Sequence, residues 1–192
     1  MDIKKLSSCY AVRALGAPDA KSVLRLCQGN TQYYRYCGMQ PTLQQVLRDL
    51  QILPEGVERS RKHFVGFFDR EDMVAVLDCV EAYPDSESAY IGFFMMNHRL
   101  QGRGIGSAVI SGVAGYLQSI GVKRLRLAIA RDNPQATHFW FKNGFEVVQE
   151  VEMDGWTALV ADRRLDEPPL SCYTNLNLNL YNPAASFPPY RR

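Results

Sequence analysis

The sequence is poor in the residues that metal and disulfide chemistry require. It holds three histidines, His63, His98 and His138, which lie far apart and have no ligand partner at helical spacing, so a metal centre is not expected. Its five cysteines, Cys9, Cys27, Cys37, Cys79 and Cys172, form an odd set with no Cys-x-x-Cys pair. That argues against a disulfide framework or a structural zinc site, and the thiols read as reduced and buried or idle. No apolar run reaches the length of a membrane span. The opening Met1-Asp2-Ile3-Lys4-Lys5 puts an acid early and no apolar stretch behind its lysines, so a secretory signal is not expected and a cytoplasmic protein is. The net charge is +2, and the basic clusters Arg59-Ser60-Arg61-Lys62 and Lys123-Arg124 are short, which argues against nucleic acid as a partner.

What the sequence does hold describes one globular domain. At 192 residues, with 46% hydrophobic and 22% charged, the chain has room for one generous core and too little for two. Tyr10–Leu15 reads as a strand, a helix follows Pro18-Asp19 with Val23, Leu24, Leu26 and Cys27 at helical spacing, and a second helix follows Pro41-Thr42 and stops before Pro54. The period then shortens. Phe64–Phe68, Val74–Val80 and Tyr90–Met96 are rich in Val, Phe and Ile and are separated by turn-forming segments, which predicts three antiparallel strands.

A helix is expected over Ile105–Ile120, ended by Gly121, and a strand over Leu125–Ala130, parallel to the strand ending at Met96 because a helix joins them. A further helix from Pro134 to Asn143 ends at Gly144, and strands Phe145–Val151 and Trp156–Ala161 complete the set. The expected class is α/β, a mixed sheet of six to seven strands with helices on both faces. Residues 1–166 form the domain, and 167–192 are a tail rich in Pro and Asn. In that tail Leu176, Leu178 and Leu180 alternate with Asn175, Asn177 and Asn179, which predicts a strand over Thr174–Tyr181 docked on a sheet edge; dimerisation through it is one arrangement this allows.

The strongest chemical signal is Gln101-Gly102-Arg103-Gly104-Ile105-Gly106-Ser107, placed between a strand and a helix. The first N–H groups of a helix have no partner within it and sit at the positive end of its dipole, so they attract phosphate. Glycine at 104 and 106 removes β-carbons that would hold a pyrophosphate away. A dinucleotide fingerprint fits poorly, because counting from Gly102 its third glycine position holds Ser107 and Lys123-Arg124 stands where an acid is wanted. A Walker-type loop needs a lysine, and none lies between Gln101 and Val122.

The loop resembles the Gln/Arg-x-x-Gly-x-Gly motif of the GCN5-related N-acetyltransferase (GNAT) family. The segment Asn133-Pro134-Gln135-Ala136-Thr137-His138-Phe139-Trp140-Phe141-Lys142-Asn143-Gly144-Phe145 resembles that family's Asn-x-x-Ala…Lys-x-Gly-Phe segment. The resemblance implies a mostly antiparallel sheet whose central parallel pair splays apart, with the pantetheine arm of acetyl-CoA lying in the gap. It implies cofactor contacts from the backbone of Phe94 and Met96, with an oxyanion donor at Met95 or Met96. It further implies contacts from Gln101, Gly102, Arg103, Gly104, Ile105, Gly106 and Ser107, and from Asn133, Ala136, Phe139, Trp140 and Lys142.

The activity so implied is acetyl transfer from acetyl-CoA to a primary amine, by direct attack in a ternary complex; an acyl-CoA sensor of the same fold is the alternative. No cysteine stands in either motif to carry the acyl group covalently. The family often has a tyrosine, as the thiol's general acid, where this chain has Trp140. An indole N–H cannot supply a proton, so Trp140 reads as a packing wall. The strand 89–96 has no carboxylate. Asp78 and Tyr83 are the first choices for the base among the side chains, with Glu81 and His138 behind them, and a water relay stands as an equal alternative. Tyr33 and Tyr34, between the first two helices, are the candidates for binding a small-molecule or peptide amine.

Overall fold

The computed structural model describes residues 1–153 and 155–166. The strand expected over 174–181, and with it the tail, lies outside them. The sheet has seven strands: β1 (Ala11–Ala14), β2 (Lys62–Asp69), β3 (Asp72–Glu81), β4 (Ser88–Met96), β5 (Arg124–Ala130), β6 (Glu146–Met153) and β7 (Trp156–Arg164). Their spatial order is β1-β2-β3-β4-β5-β7-β6, and every neighbouring pair is antiparallel except β4 and β5.

Five α-helices complete the domain: α1 (Ala20–Gln28), α2 (Thr31–Tyr36), α3 (Leu43–Asp49), α4 (Ile105–Ser119) and α5 (Pro134–Lys142). The cap of α3 is Thr42, whose side chain accepts from the Gln45 N–H. Asn133 caps α5 with Pro134 at its first turn, and Gly121 and Gly144, both at positive φ, follow the ends of α4 and α5. The difference from the sequence reading is α2, which occupies the stretch expected to be a loop.

The core has two halves, one on each face of the sheet. On one face Val109, Ile110, Val113 and Leu117 of α4 and Trp140 of α5 pack on Val65, Leu77, Ile91, Leu125 and Leu127. On the other, Val23 and Leu26 of α1, Tyr34 of α2 and Val46 of α3 pack on Phe64, Val76, Phe93 and Met95. Strand β4 is thus covered on both sides, which fits its near-continuous apolar sequence.

Candidate active site

The site begins where β4 leaves β5. The parallel pairing covers Ser88–Ile91 against Arg124–Leu127 and no further, while β4 runs on beside β3 to Met96 and β5 runs on beside β7 to Ala130. At the same level the β3–β4 register steps from Cys79↔Ile91 to Asp78↔Phe93, so Gly92 is an extra residue in β4. A bulge of this kind bends its strand and ends a pairing. Beyond it the two central strands are separated by a gap.

Backbone alternation decides what faces that gap. The Asn97 N–H donates to the Val74 carbonyl at 2.8 Å. Because hydrogen-bonded pairs alternate along an antiparallel ladder, the main chain of Met95 turns to β3 and that of Phe94 and Met96 turns to the gap. The Met96 carbonyl agrees with this, since it accepts from Asn30 Nδ2 at 3.0 Å. Of the two proposed oxyanion donors, the geometry therefore keeps the Met96 N–H and removes that of Met95, whose side chain still lines the cleft.

The glycine loop closes the upper end of the gap. Gly102 and Gly104 have φ of +74° and +78°, a backbone that side chains with a Cβ rarely adopt, and open space surrounds both. Gly106 has a different reason to be glycine: a Cβ there would come within 3.1 Å of the Phe139 ring and 3.3 Å of Met96. The first main-chain bond of α4 runs from the Ala108 N–H to the Gly104 carbonyl, so the amides of Ile105, Gly106 and Ser107 precede the ladder. This end of a 15-residue helix is a preformed cradle for an anion.

Together these elements bound a cleft of about 330 Å³. Helix α5 forms its opposite wall. Trp140 is buried there, edge-on to Phe139 and to Phe145 with ring centroids 5.0 Å away in each case. Phe139 stacks on Phe94 of β4 at 5.7 Å, which ties the wall to the strand across the gap. Asn133 is also buried, and its Oδ1 accepts from the Ala136 N–H at 3.0 Å. The side chain is thus the cap of α5, while its residue lines the cleft.

A family model described as the acetyltransferase (GNAT) family matches residues 25–145, which is most of the described chain. The chain belongs to the GNAT family. Among solved structures, an acetyltransferase from Thermus thermophilus is 30% identical, with a TM-score of 0.66 over 80% of this chain and 95% of that one. The PaiA N-acetyltransferase of Thermoplasma acidophilum, in complex with coenzyme A, is 16% identical with a TM-score of 0.58, over 80% of this chain and 97% of that one. The ribosomal-protein-S18-alanine N-acetyltransferase of Escherichia coli is 14% identical with a TM-score of 0.60, over 85% of this chain and 99% of that one. Among curated proteins, none matches the sequence significantly.

The structure brings most of the GNAT-derived positions together around one cleft. Phe94, Met95, Met96, Gln101, Gly102, Gly104, Gly106, Ser107, Asn133, Ala136, Phe139, Trp140 and Lys142 all line the cleft. Two loop members contribute less: Arg103 is exposed outside the cleft lining, and the Ile105 side chain packs against the core, leaving its amide to the cradle.

The catalytic and acceptor candidates fare differently. Asp78 is 2% exposed and its Oδ2 accepts from Lys62 Nζ at 2.6 Å, a buried ion pair on the α1 face of the sheet. Burial pushes the Lys62 ammonium below its ordinary pKa, and Asp78 opposes that shift. A carboxylate so held is not a base facing the gap. Tyr83 stands at the closed end of the sheet, edge-on to Tyr90 at 5.6 Å, where β4 is still paired with β5. Burial raises its phenol above the ordinary value, which keeps it protonated near neutral pH.

Glu81 is also engaged. Burial would raise its carboxyl, but the Met1 ammonium at 2.7 Å and the His63 ring hold it below the ordinary value. Tyr33 lines the cleft, whereas Tyr34, one residue on and so about 100° around the helix, is buried in the core. Of the base candidates, His138 of α5 is the one that lines the cleft, while sequence reasoning missed Asn30 and Gln135, which line it too. Asn30 follows Gly29 at the end of α1, and in sequence it reads as an ordinary helix-stop residue.

Proposed function

We propose that this protein transfers an acetyl group from acetyl-CoA to a primary amine, by direct attack within a ternary complex. The observation that carries the reading is the gap itself: a strand edge exposed by splaying, with phosphate-binding amides at its upper end. The fit is one of donor sets. An extended amide-bearing arm matches the main-chain groups of Phe94 and Met96, and a pyrophosphate matches the amides of Ile105, Gly106 and Ser107. Bound acetyl-CoA supplies the thioester carbonyl that the amine attacks.

The chain's own residues then have distinct tasks. The Met96 N–H is placed to donate to oxygen charge as it develops. Trp140 and Phe139 shield the gap from water and fix the arm sideways. No acid is needed at the sulfur: a thiol of pKa about 8.5 leaves as thiolate near neutral pH at a cost of about 2 kcal/mol. Among the described residues no carboxylate lines the cleft and His138 is its one imidazole; in this reading the incoming ammonium gives up its proton to water, with His138 the alternative acceptor.

The test is turnover. Acetyl-CoA incubated with a panel of alkylamines, amino acids and peptides should release free thiol with at least one class of acceptor. Cofactor binding with no thiol release across the panel would favour the sensor, and no cofactor binding at millimolar concentration would overturn the reading altogether.

A further inference from the structure

Asn30 is a buried amide of the cleft that no part of the proposed chemistry uses. It is 6% exposed and sits where three segments meet: the end of α1, the end of β4 and the start of the glycine loop. Its Nδ2 donates to the Leu26 carbonyl at 2.8 Å and to the Met96 carbonyl at 3.0 Å, and its Oδ1 accepts from Gln101 Nε2 at 2.7 Å. Two carbonyl acceptors require the NH₂ group on that side, so the network fixes the amide's orientation. The main chain is engaged as well: the Asn30 N–H donates to Cys27, and its carbonyl accepts from the Tyr34 N–H at 3.3 Å. Asn30 immediately precedes α2, the short helix that carries Tyr33 into the cleft.

We infer that Asn30 is a positioning residue that couples the cofactor loop to the wall on which the acceptor rests. The inference depends on the acetyl-CoA reading above. Gln101 belongs to the loop whose next residues bind pyrophosphate, and Met96 belongs to the strand that binds the arm. Both are tied through one side chain to the first turn of α2. A helix of six residues has little stability of its own, so its order depends on what holds its start. Fixing the loop with cofactor removes freedom from Gln101, and through Asn30 from α2, so part of the acceptor wall is ordered before the amine arrives. The side-chain type is demanding. Aspartate at 30 would set a carboxylate against two carbonyl oxygens, and alanine would leave the Met96 carbonyl and the Gln101 amide without this partner.

Hydrogen exchange of the full chain, with and without coenzyme A, reads the coupling without knowledge of the acceptor. In the wild type, saturating coenzyme A should slow exchange across residues 31–39 by about threefold or more, a change of local opening that the method resolves. Asn30→Ala and Gln101→Ala should both abolish that slowing at saturating cofactor. Gln101 is exposed, so its variant tests the link even if Asn30→Ala folds poorly. Each substitution should weaken coenzyme A binding by about tenfold, and the double variant should be no weaker than either single one, as expected for residues in one network. Exchange over 31–39 that ignores bound cofactor in the wild type, or fully additive losses in affinity, overturns the coupling. A wild type that does not bind coenzyme A sinks the acetyl-CoA reading itself, and the two failures are distinguishable.

Discussion

A carboxylate in the middle of a sheet is ambiguous until its partner is known. Asp78 faces Phe64 across β2 and Phe93 across β4, and Lys62 reaches it from the start of β2. Removing one member of such a pair leaves a buried charge, so Asp78→Ala should destabilise the fold by about 3–5 kcal/mol, whereas replacing both members with apolar residues of similar volume is often neutral. The expected outcome is therefore that Asp78→Leu combined with Lys62→Met melts near the wild type in urea and still transfers acetyl groups. Loss of turnover in that well-folded double variant would return Asp78 to the list of bases. Trp140 makes the complementary point. Its ring meets Phe94, Phe139 and Phe145 within 6 Å, so its place is explained by packing without any proton transfer.

At the scale of elements, the glycine loop is the part whose sequence states its geometry. Gly104 stands at φ +78° as the cap of α4, in open space, so the demand on it is conformational and not one of room inside the protein. Gly104→Val forces a β-branched residue into the left-handed region and turns the amides of the first turn away from their shared focus. The expected result by calorimetry is loss of coenzyme A affinity by about 100-fold or more, with a melting temperature within a few degrees of the wild type because the loop lies outside the core. Unchanged affinity would mean that the loop is a tight turn and no more.

The strands, α4 and α5 were equally legible, because apolar period and capping residues such as Asn133-Pro134 act within a few residues of each other. Helix α2 was not. Thr31-Gln32-Tyr33-Tyr34-Arg35-Tyr36 is too short to show a period, and Tyr34 is helical because it fills a core made by distant residues. The bond from Gln101 to Asn30 spans 71 positions, and the pair of Asp78 with Lys62 spans 16 across two strands; no local pattern announces either.

For the whole molecule, the acetyl-transfer reading with tied carboxylates and proton release to water predicts a pH dependence that belongs to the substrate. Asp78 is paired with Lys62, Glu81 with the Met1 ammonium and His63, and Asp162 with Arg126 through two bonds of 2.6 and 2.7 Å. None of these lines the cleft. An alkyl ammonium of pKa about 10 is neutral to about one part in a thousand at pH 7, and each unit of pH raises that share about tenfold. Deprotonation favours attack, so kcat/KM for such an amine should climb with a slope near one between pH 7 and 9. An acceptor with an α-amino group, of pKa about 7.7–8.0, should instead level off near pH 8. Measuring both profiles with the same enzyme separates the two sources of the proton. A shared plateau, at one pH for both acceptors, would reveal a titrating base on the enzyme and overturn proton release to water.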